Sequence, residues 1–304
     1  MKKSILFALL TGFVFSYTFA QDSTPAETTA YPVTTFESNF LVDDQTTVVF
    51  DKKSLGFAIQ HKFATMDDGI SNLWGMYGAA TNIRLAMDYV PMKNLQIGAG
   101  ISKTHMITDV SAKYSILHQT SDNKTPVSLA VYGVIGMDGR GSGSFENDTL
   151  TNTKGESDKT LNEIGFVDKM SYFTQVIVSR KFTEWLSVQG GASFTHYNMV
   201  GWDENHDLFA LHALGRIKIS PQSALTFNYN QPLKIESISE QATMPDYTPT
   251  VALGWQISTF THAFQIYVSN APSMLPMENM MYNRAKFNLD GIAIGFTITR
   301  LWAF

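Results

Sequence analysis

The residues of this sequence that could do chemistry fall into a few sets. Lys62, Arg84, Asp88, Lys113, His212 and Arg216 are ionisable positions with a basic excess. Gathered around one aqueous passage, they would favour anionic solutes. Gathered in a narrow interior, they would pair with one another or with other parts of the chain. His196-Tyr197-Asn198 and the stretch 262–270 hold the histidine and amide partners of a lipid hydrolase, but no nucleophile motif accompanies them. The run Trp202-Asp203-Glu204-Asn205-His206-Asp207 has hard oxygen ligands without the spacing of a full calcium loop. Met274, Met277, Met280 and Met281 offer thioethers that suit copper(I) and equally suit the filling of irregular apolar space, and packing is the expectation. Gly139-Arg140-Gly141-Ser142-Gly143-Ser144 lacks a following lysine and a strand-to-helix setting, so it reads as a loop and not a phosphate cradle. No metal site, cofactor or catalytic residue is expected.

The elements that must position these side chains are strands. In the stretch 55–63, Leu55, Phe57, Ile59 and Phe63 alternate with Gly56, Ala58, Gln60 and Lys62, a period of two. The same alternation recurs at 82–89, 95–102, 109–118, 127–137, 170–182, 186–196, 208–219, 224–230, 250–258, 262–269 and 288–304, giving about twelve strands. Links between them alternate in length. Short ones fall at 90–94, 119–126, 183–185, 220–223 and 259–261, long ones at 64–81, 138–169, 197–207, 231–249 and 270–287, and only 103–108 breaks the rule. An even number of strands with short turns on one side and long loops on the other is the pattern of a bacterial outer-membrane barrel, with both termini periplasmic.

The ends and the composition agree with export. Met1-Lys2-Lys3, an apolar run to Phe15 and a small residue at Ala20 read as a secretory signal over residues 1–20. Without Lys2 and Lys3, the 22 basic residues become 20 against 27 acidic ones, a net charge of −7 that disfavours nucleic acid as a partner. There is no cysteine, so disulfides and a lipidated cysteine are excluded. After the signal, no stretch is apolar for the roughly 20 residues a spanning helix needs, so a spanning structure must be a barrel. Residues 21–53 read as an N-terminal periplasmic or lumenal segment, with Phe36, Phe40, Val42, Val48 and Val49 scattered without a period, and residues 54–304 as the barrel.

Lipid and not a soluble sandwich is indicated by the faces. Phe209, Leu211, Ala213, Ile217 and Ile219, or Val251, Leu253, Trp255 and Ile257, carry no charge, as hydrocarbon requires. Arg300 is the exception, placed where it can snorkel. The opposite face is small and polar: Gln96, Gly98, Gly100 and Ser102, or Gly291, Ala293, Gly295, Thr297 and Thr299. Aromatic residues fall near strand ends, with Tyr89, Trp185, Trp302 and Phe304 at one side and Phe63 and Tyr229 at the other.

The last strand alternates and ends in Trp302-Ala303-Phe304, which resembles the terminal signature of outer-membrane barrels and implies recognition by the barrel-assembly machinery, with Trp302 and Phe304 as the signal. The segments Leu55-Gly56-Phe57-Ala58-Ile59-Gln60-His61-Lys62-Phe63, Arg180-Lys181-Phe182 and His262-Ala263-Phe264-Gln265-Ile266-Tyr267-Val268-Ser269-Asn270 resemble an uncharacterised Bacteroidetes outer-membrane barrel family across most of 34–304. That resemblance implies location and fold and offers no catalytic residues. It departs at Lys62, where an arginine is expected: the charge stays and the planar fork is lost. The expected function is a channel for small solutes in contact with outer-membrane lipids. The alternative is a closed structural, adhesive or assembly barrel, and a lipid-modifying enzyme is the least supported.

Overall fold

The structure is a computed structural model and describes residues 30–67, 69–141, 150–152, 164–201, 204–240 and 246–304. The expected signal segment lies outside these residues, as do 21–29, Ser142-Gly143-Ser144 of the glycine loop, and Trp202 and Asp203.

Twelve strands close into one antiparallel barrel. They are β1 (Ser54–Thr65), β2 (Asn82–Met92), β3 (Leu95–Ser102), β4 (Thr108–Leu117), β5 (Ser128–Met137), β6 (Met170–Lys181), β7 (Leu186–Tyr197), β8 (Asp207–Lys218), β9 (Ser223–Pro232), β10 (Thr250–Ser258), β11 (His262–Ser269) and β12 (Ala293–Ala303). Each pairs with its neighbours in the chain, and β12 returns to β1 with Trp302 opposite Leu55 and Gly295 opposite Lys62. Closure leaves no free edge, so each strand of the wall is paired along both sides, as a lipid-immersed backbone requires. The period of two then sorts the side chains. On β8, Phe209, Leu211 and Ile217 are exposed outward, while Ala210, His212, Leu214 and Arg216 are buried inward.

Two strand boundaries differ from the sequence pattern by three residues or more. The final strand begins at Ala293 and not at 288, because Asn288 forms a turn: its carbonyl accepts the N–H groups of Gly291 and Ile292, and its side chain also accepts from Gly291. Strand β2 runs past Tyr89 through Pro91 to Met92, with the register shift that a proline without an N–H imposes.

The small inward residues are room for what crosses above them. A Cβ on Gly100 would sit 2.6 Å from Arg84 Nη2 and 2.7 Å from Asp109 Oδ2, because the Arg84–Asp109 ion pair bridges β2 and β4 directly over β3. A Cβ on Gly295 would strike the Tyr267 ring, which lies flat against β12. On the outside, Tyr89, Trp185 and Phe304 are exposed at the end that carries the short turns, and the Arg300 guanidinium stacks 4.9 Å from the Trp302 ring.

Candidate functional site

The inside of the barrel is where its polar chemistry collects, and the chain itself fills it. Residues 31–33 cross the short-turn end, with Tyr31 and Val33 hydrogen-bonded to the 119–121 turn. The chain then rises into the lumen, reverses, and leaves again at Lys53, whose N–H bonds to the Val90 carbonyl. The reversal is a small hairpin with Phe40 opposite Gln45 and Leu41 opposite Asp44. Its stems are tied by Thr35 and Thr47, 3.1 Å apart, and Val42 at its tip takes φ 54°.

The wall grips this hairpin on nearly every side. Asn228 donates to the Leu41 carbonyl (2.7 Å) and to Asp44 Oδ2 (2.9 Å), and Asn230 donates to the same Asp44 oxygen (2.9 Å). Gln265 accepts the Val42 N–H and donates to the Phe40 carbonyl, and Gln189 does the same with Thr47 and Gln45. Lys113 reaches the Asn39 carbonyl and Gln45 Oε1, while Asn39 donates to Asp88. Apolar hairpin side chains fill the spaces left: Phe36 and Leu41 against Leu214, Phe40 against Ala58 and Ala86, and Val42 against Ala252 and Tyr267. Each such burial contributes roughly 1.5–3 kcal/mol, and each neutral hydrogen bond about 1 kcal/mol net. The pocket between Phe40, Gln60, Arg84 and Leu275 measures about 10 Å³, room for about one water.

A second closure sits at the long-loop end. The link after β11 folds into helix α1 (Pro276–Tyr282), started by Pro276, a residue suited to a first helical turn. Met277, Met280 and Met281 face down onto Tyr132, Val134, Phe173, Ile177 and Leu208. The methionines therefore pack, as expected for thioethers in irregular apolar space. Asn270 staples the link with bonds to the Val251 N–H and to the Pro249 and Ala285 carbonyls. Glu278 is held by Tyr197 Oη (2.9 Å) and His105 Nδ1 (2.9 Å). The Glu278 carboxylate beside His105 raises the imidazole pKa above its usual value.

Lys62 joins the two closures. Its ammonium donates to Asp43 Oδ2 of the hairpin and to the carbonyls of Ala271 and Ser273 in the helix-bearing link. The three oxygens converge on the single point charge of an ammonium, which a lysine supplies in place of a guanidinium's planar fork. Of the other ionisable positions picked out in the sequence, Arg84 is bound in a bidentate pair to Asp109, with Gln60 on its third nitrogen. Asp88 and Lys113 meet at Asn39. His212 lies between Ser193 and Asn230, and Arg216 forms an ion pair with Glu37 at 2.7 Å. All six side chains face the interior. The sequence reading missed Glu37, Asp43, Asp44, Asp109 and Glu278; only Asp109 carried a signal, the inward parity of its strand.

Neither hydrolase candidate of the sequence assembles a nucleophile. His196 spends one nitrogen on Asp207 (2.6 Å) and the other on Asn198 (3.0 Å), and His262 bonds to Thr261. Ser193, His212 and Asn230, on three adjacent strands, do take the order nucleophile, base, orienter, at 2.7 and 2.9 Å. At 4% exposure inside the filled lumen, Ser193 and His212 tie wall to wall. In the acidic 202–207 run, Glu204 pairs with Arg284, Asn205 with Tyr247, and Asp207 with His196. Among the described residues no cluster of histidine and acidic side chains could hold a metal ion.

The model of a family described as a membrane bound beta barrel domain (DUF5777) matches residues 36–302. No curated protein matches the chain. Among solved structures, the chain is similar to the NanC porin (8% identity, 82% of this chain and 99% of that one, TM-score 0.47). It is also similar to the COG4313 outer membrane channel from Pseudomonas putida F1 (8%, 84% and 97%, 0.46). A third is the KdgM porin in complex with disordered oligogalacturonate (8%, 83% and 99%, 0.43).

Proposed function

We propose, from the premise that this chain belongs to the membrane-bound β-barrel family DUF5777, that it is a gated channel for small solutes in the outer membrane of a Bacteroidetes bacterium, with both termini periplasmic. The observation that carries this reading is the wall behind the hairpin. Gln60, Gln96, Gln175, Gln189, Gln256, Gln265, Asn228 and Asn230 point inward among serines and threonines. Gln189, Gln265, Asn228 and Asn230 satisfy polar groups of the hairpin, but Gln96 Oε1, Gln175 Nε2 and Gln256 Nε2 have no hydrogen-bond partner among the described residues, a cost that a barrel sealed for good has no reason to keep. A wall of amides and hydroxyls is instead ready to be hydrated once residues 35–48 withdraw. The leader (1–20), the entering segment (21–53) and the barrel (54–304) are then three functional parts, and Trp302 and Phe304 present the assembly signal at the closing strand. Outer-membrane lipids and the assembly machinery are the partners.

The apolar cluster under α1 favours a second reading, a closed structural or adhesive barrel, because hydrating Met277, Met280 and Met281 is costly. Planar-bilayer conductance separates the two. The mature chain is compared with variants lacking residues 34–49, lacking 272–286, and lacking both. Stable conductance that requires loss of both closures supports the gated channel. Silence from the doubly deleted barrel, with its folding confirmed by heat-modifiable mobility, moves the assignment to the closed barrel.

A further inference from the structure

The charges on the lumen wall do not balance without the hairpin. Among the described residues the wall turns inward five cations, Lys62, Arg84, Lys113, Arg216 and, at the short-turn end, Lys218, against two carboxylates, Asp88 and Asp109. Arg84 and Asp109 neutralise each other, and Asp88 lies near Lys113. Lys62 and Arg216 then have no anion on the wall itself. Their anions come from the hairpin: Asp43 on Lys62, and Glu37 on Arg216 with Lys218 at 3.4 Å from its other oxygen. The third hairpin carboxylate, Asp44, lies where two amide groups converge on one oxygen, with His212 3.8 Å from the other.

The fit is incomplete in several places, among them the corner where Arg216 meets Glu37. Arg216 Nη2 stands 2.7 Å from Glu37 Oε2 without hydrogen-bond alignment, and Gln256 Nε2, beside it, has no hydrogen-bond partner among the described residues. Donors that are buried and only partly used leave room for an acceptor better matched than the segment that fills the lumen. Carboxylate oxygens accept only, and ammonium, guanidinium and amide N–H groups are their complement.

We propose that Lys62 with Asn228 and Asn230, and Arg216 with Gln256, form two carboxylate subsites along the lumen for polycarboxylate solutes, and that Asp43 and Asp44 occupy the first and Glu37 the second as internal stand-ins, so that solute and hairpin compete. This rests on the channel reading and names its solute class. Binding of the solute would then release the hairpin, coupling recognition to opening.

The chain has no cysteine, so a single Ser38→Cys reports on the hairpin alone. Full-length mature protein carrying it is reconstituted in vesicles and treated with a polar maleimide in citrate, or in sorbitol as a neutral polyol of similar size. Labelling faster by on the order of tenfold in citrate, unchanged in sorbitol, and insensitive to citrate after Lys62→Gln with Arg216→Gln, is the result expected. Equal rates in the two solutes, or a citrate effect that survives loss of both cations, would overturn the site. If that double variant does not fold, Glu37→Gln with Asp43→Asn and Asp44→Asn serves instead: the hairpin should label rapidly whatever the solute, and slow labelling overturns the proposal. Failure here with conductance in the doubly deleted barrel leaves the channel and removes its solute. Silence in that barrel removes the channel itself.

Discussion

Replacing Lys62 by methionine should release the hairpin without unfolding the barrel. Methionine keeps the length of the side chain and removes the ammonium, leaving the buried Asp43 carboxylate and the Ala271 and Ser273 carbonyls without their donor. Breaking a buried pair by removing one partner costs about 3–5 kcal/mol. At about 1.4 kcal/mol per power of ten, that multiplies the population of the withdrawn hairpin by roughly a hundred to a few thousand. The β1 ladder to β2 and β12 is untouched, so the cost falls on the closures. Maleimide labelling of Ser38→Cys follows this population directly when reclosing is faster than modification. Adding Asp43→Leu removes the stranded charge and should recover at least a tenfold part of the protection, the two carbonyls remaining unpaired. An unchanged labelling rate in Lys62→Met, or a double variant that labels as fast as the single one, would refute the reasoning.

Arg84→Met should lower the temperature at which the folded band is lost on a gel, since Asp109 is left charged and buried, at a cost of about 3–5 kcal/mol; Arg84→Lys should do so less, and equal shifts would contradict the bidentate account. Gly100→Val should resemble Arg84→Met, because its side chain takes the space of the ion pair; an unshifted melting temperature would be inconsistent with the crossing. Leu253→Arg, outward on β10, should destabilise the barrel against urea in vesicles by about 2–4 kcal/mol, whereas a variant as stable as the parent would contradict its lipid exposure. The His105–Glu278 link should weaken with pH. A raised imidazole pKa means its stabilisation is complete below about 6.5 and is lost as pH rises through the higher folded value. Arg140 opposes that shift and Asp138 supports it. A cysteine at Asn283 should therefore label faster above neutrality, relative to exposed-thiol controls, and His105→Gln should abolish the difference; the same pH slope in both would exclude His105.

The wall was legible because lipid leaves the chain few options. Once Phe209, Leu211 and Ile217 must face hydrocarbon, parity sends His212 and Arg216 inward, and Lys62, Arg84 and Lys113 follow by the same rule. That residues 21–53 could lie in the lumen was legible, but not how they are held there, since residues 34–49 have no period and their meaning lies in partners far along the chain, such as Val42 with Gln265 or Thr47 with Gln189. Helix α1 escaped notice for a related reason. Seven residues are too few to hold a helix by propensity, and only packing on Tyr132 and Phe173 stabilises it. Ser193, His212 and Asn230 meet through the registers of β7, β8 and β9, which no spacing in a linear pattern reveals.

The position of Lys62 bears on how the molecule can be put together. Asp43 precedes its strand by only a short stretch, while Ala271 and Ser273 lie in the link that leads directly into β12, the strand that pairs Gly295 with Lys62 and zips the cylinder shut. The first of its three oxygens is thus at hand early in synthesis, and the other two arrive only with the strand that completes the wall. A chain that stalls before this last strand leaves the amine with one of its three oxygens at an open seam, so the buried lysine distinguishes a finished cylinder from an unfinished one.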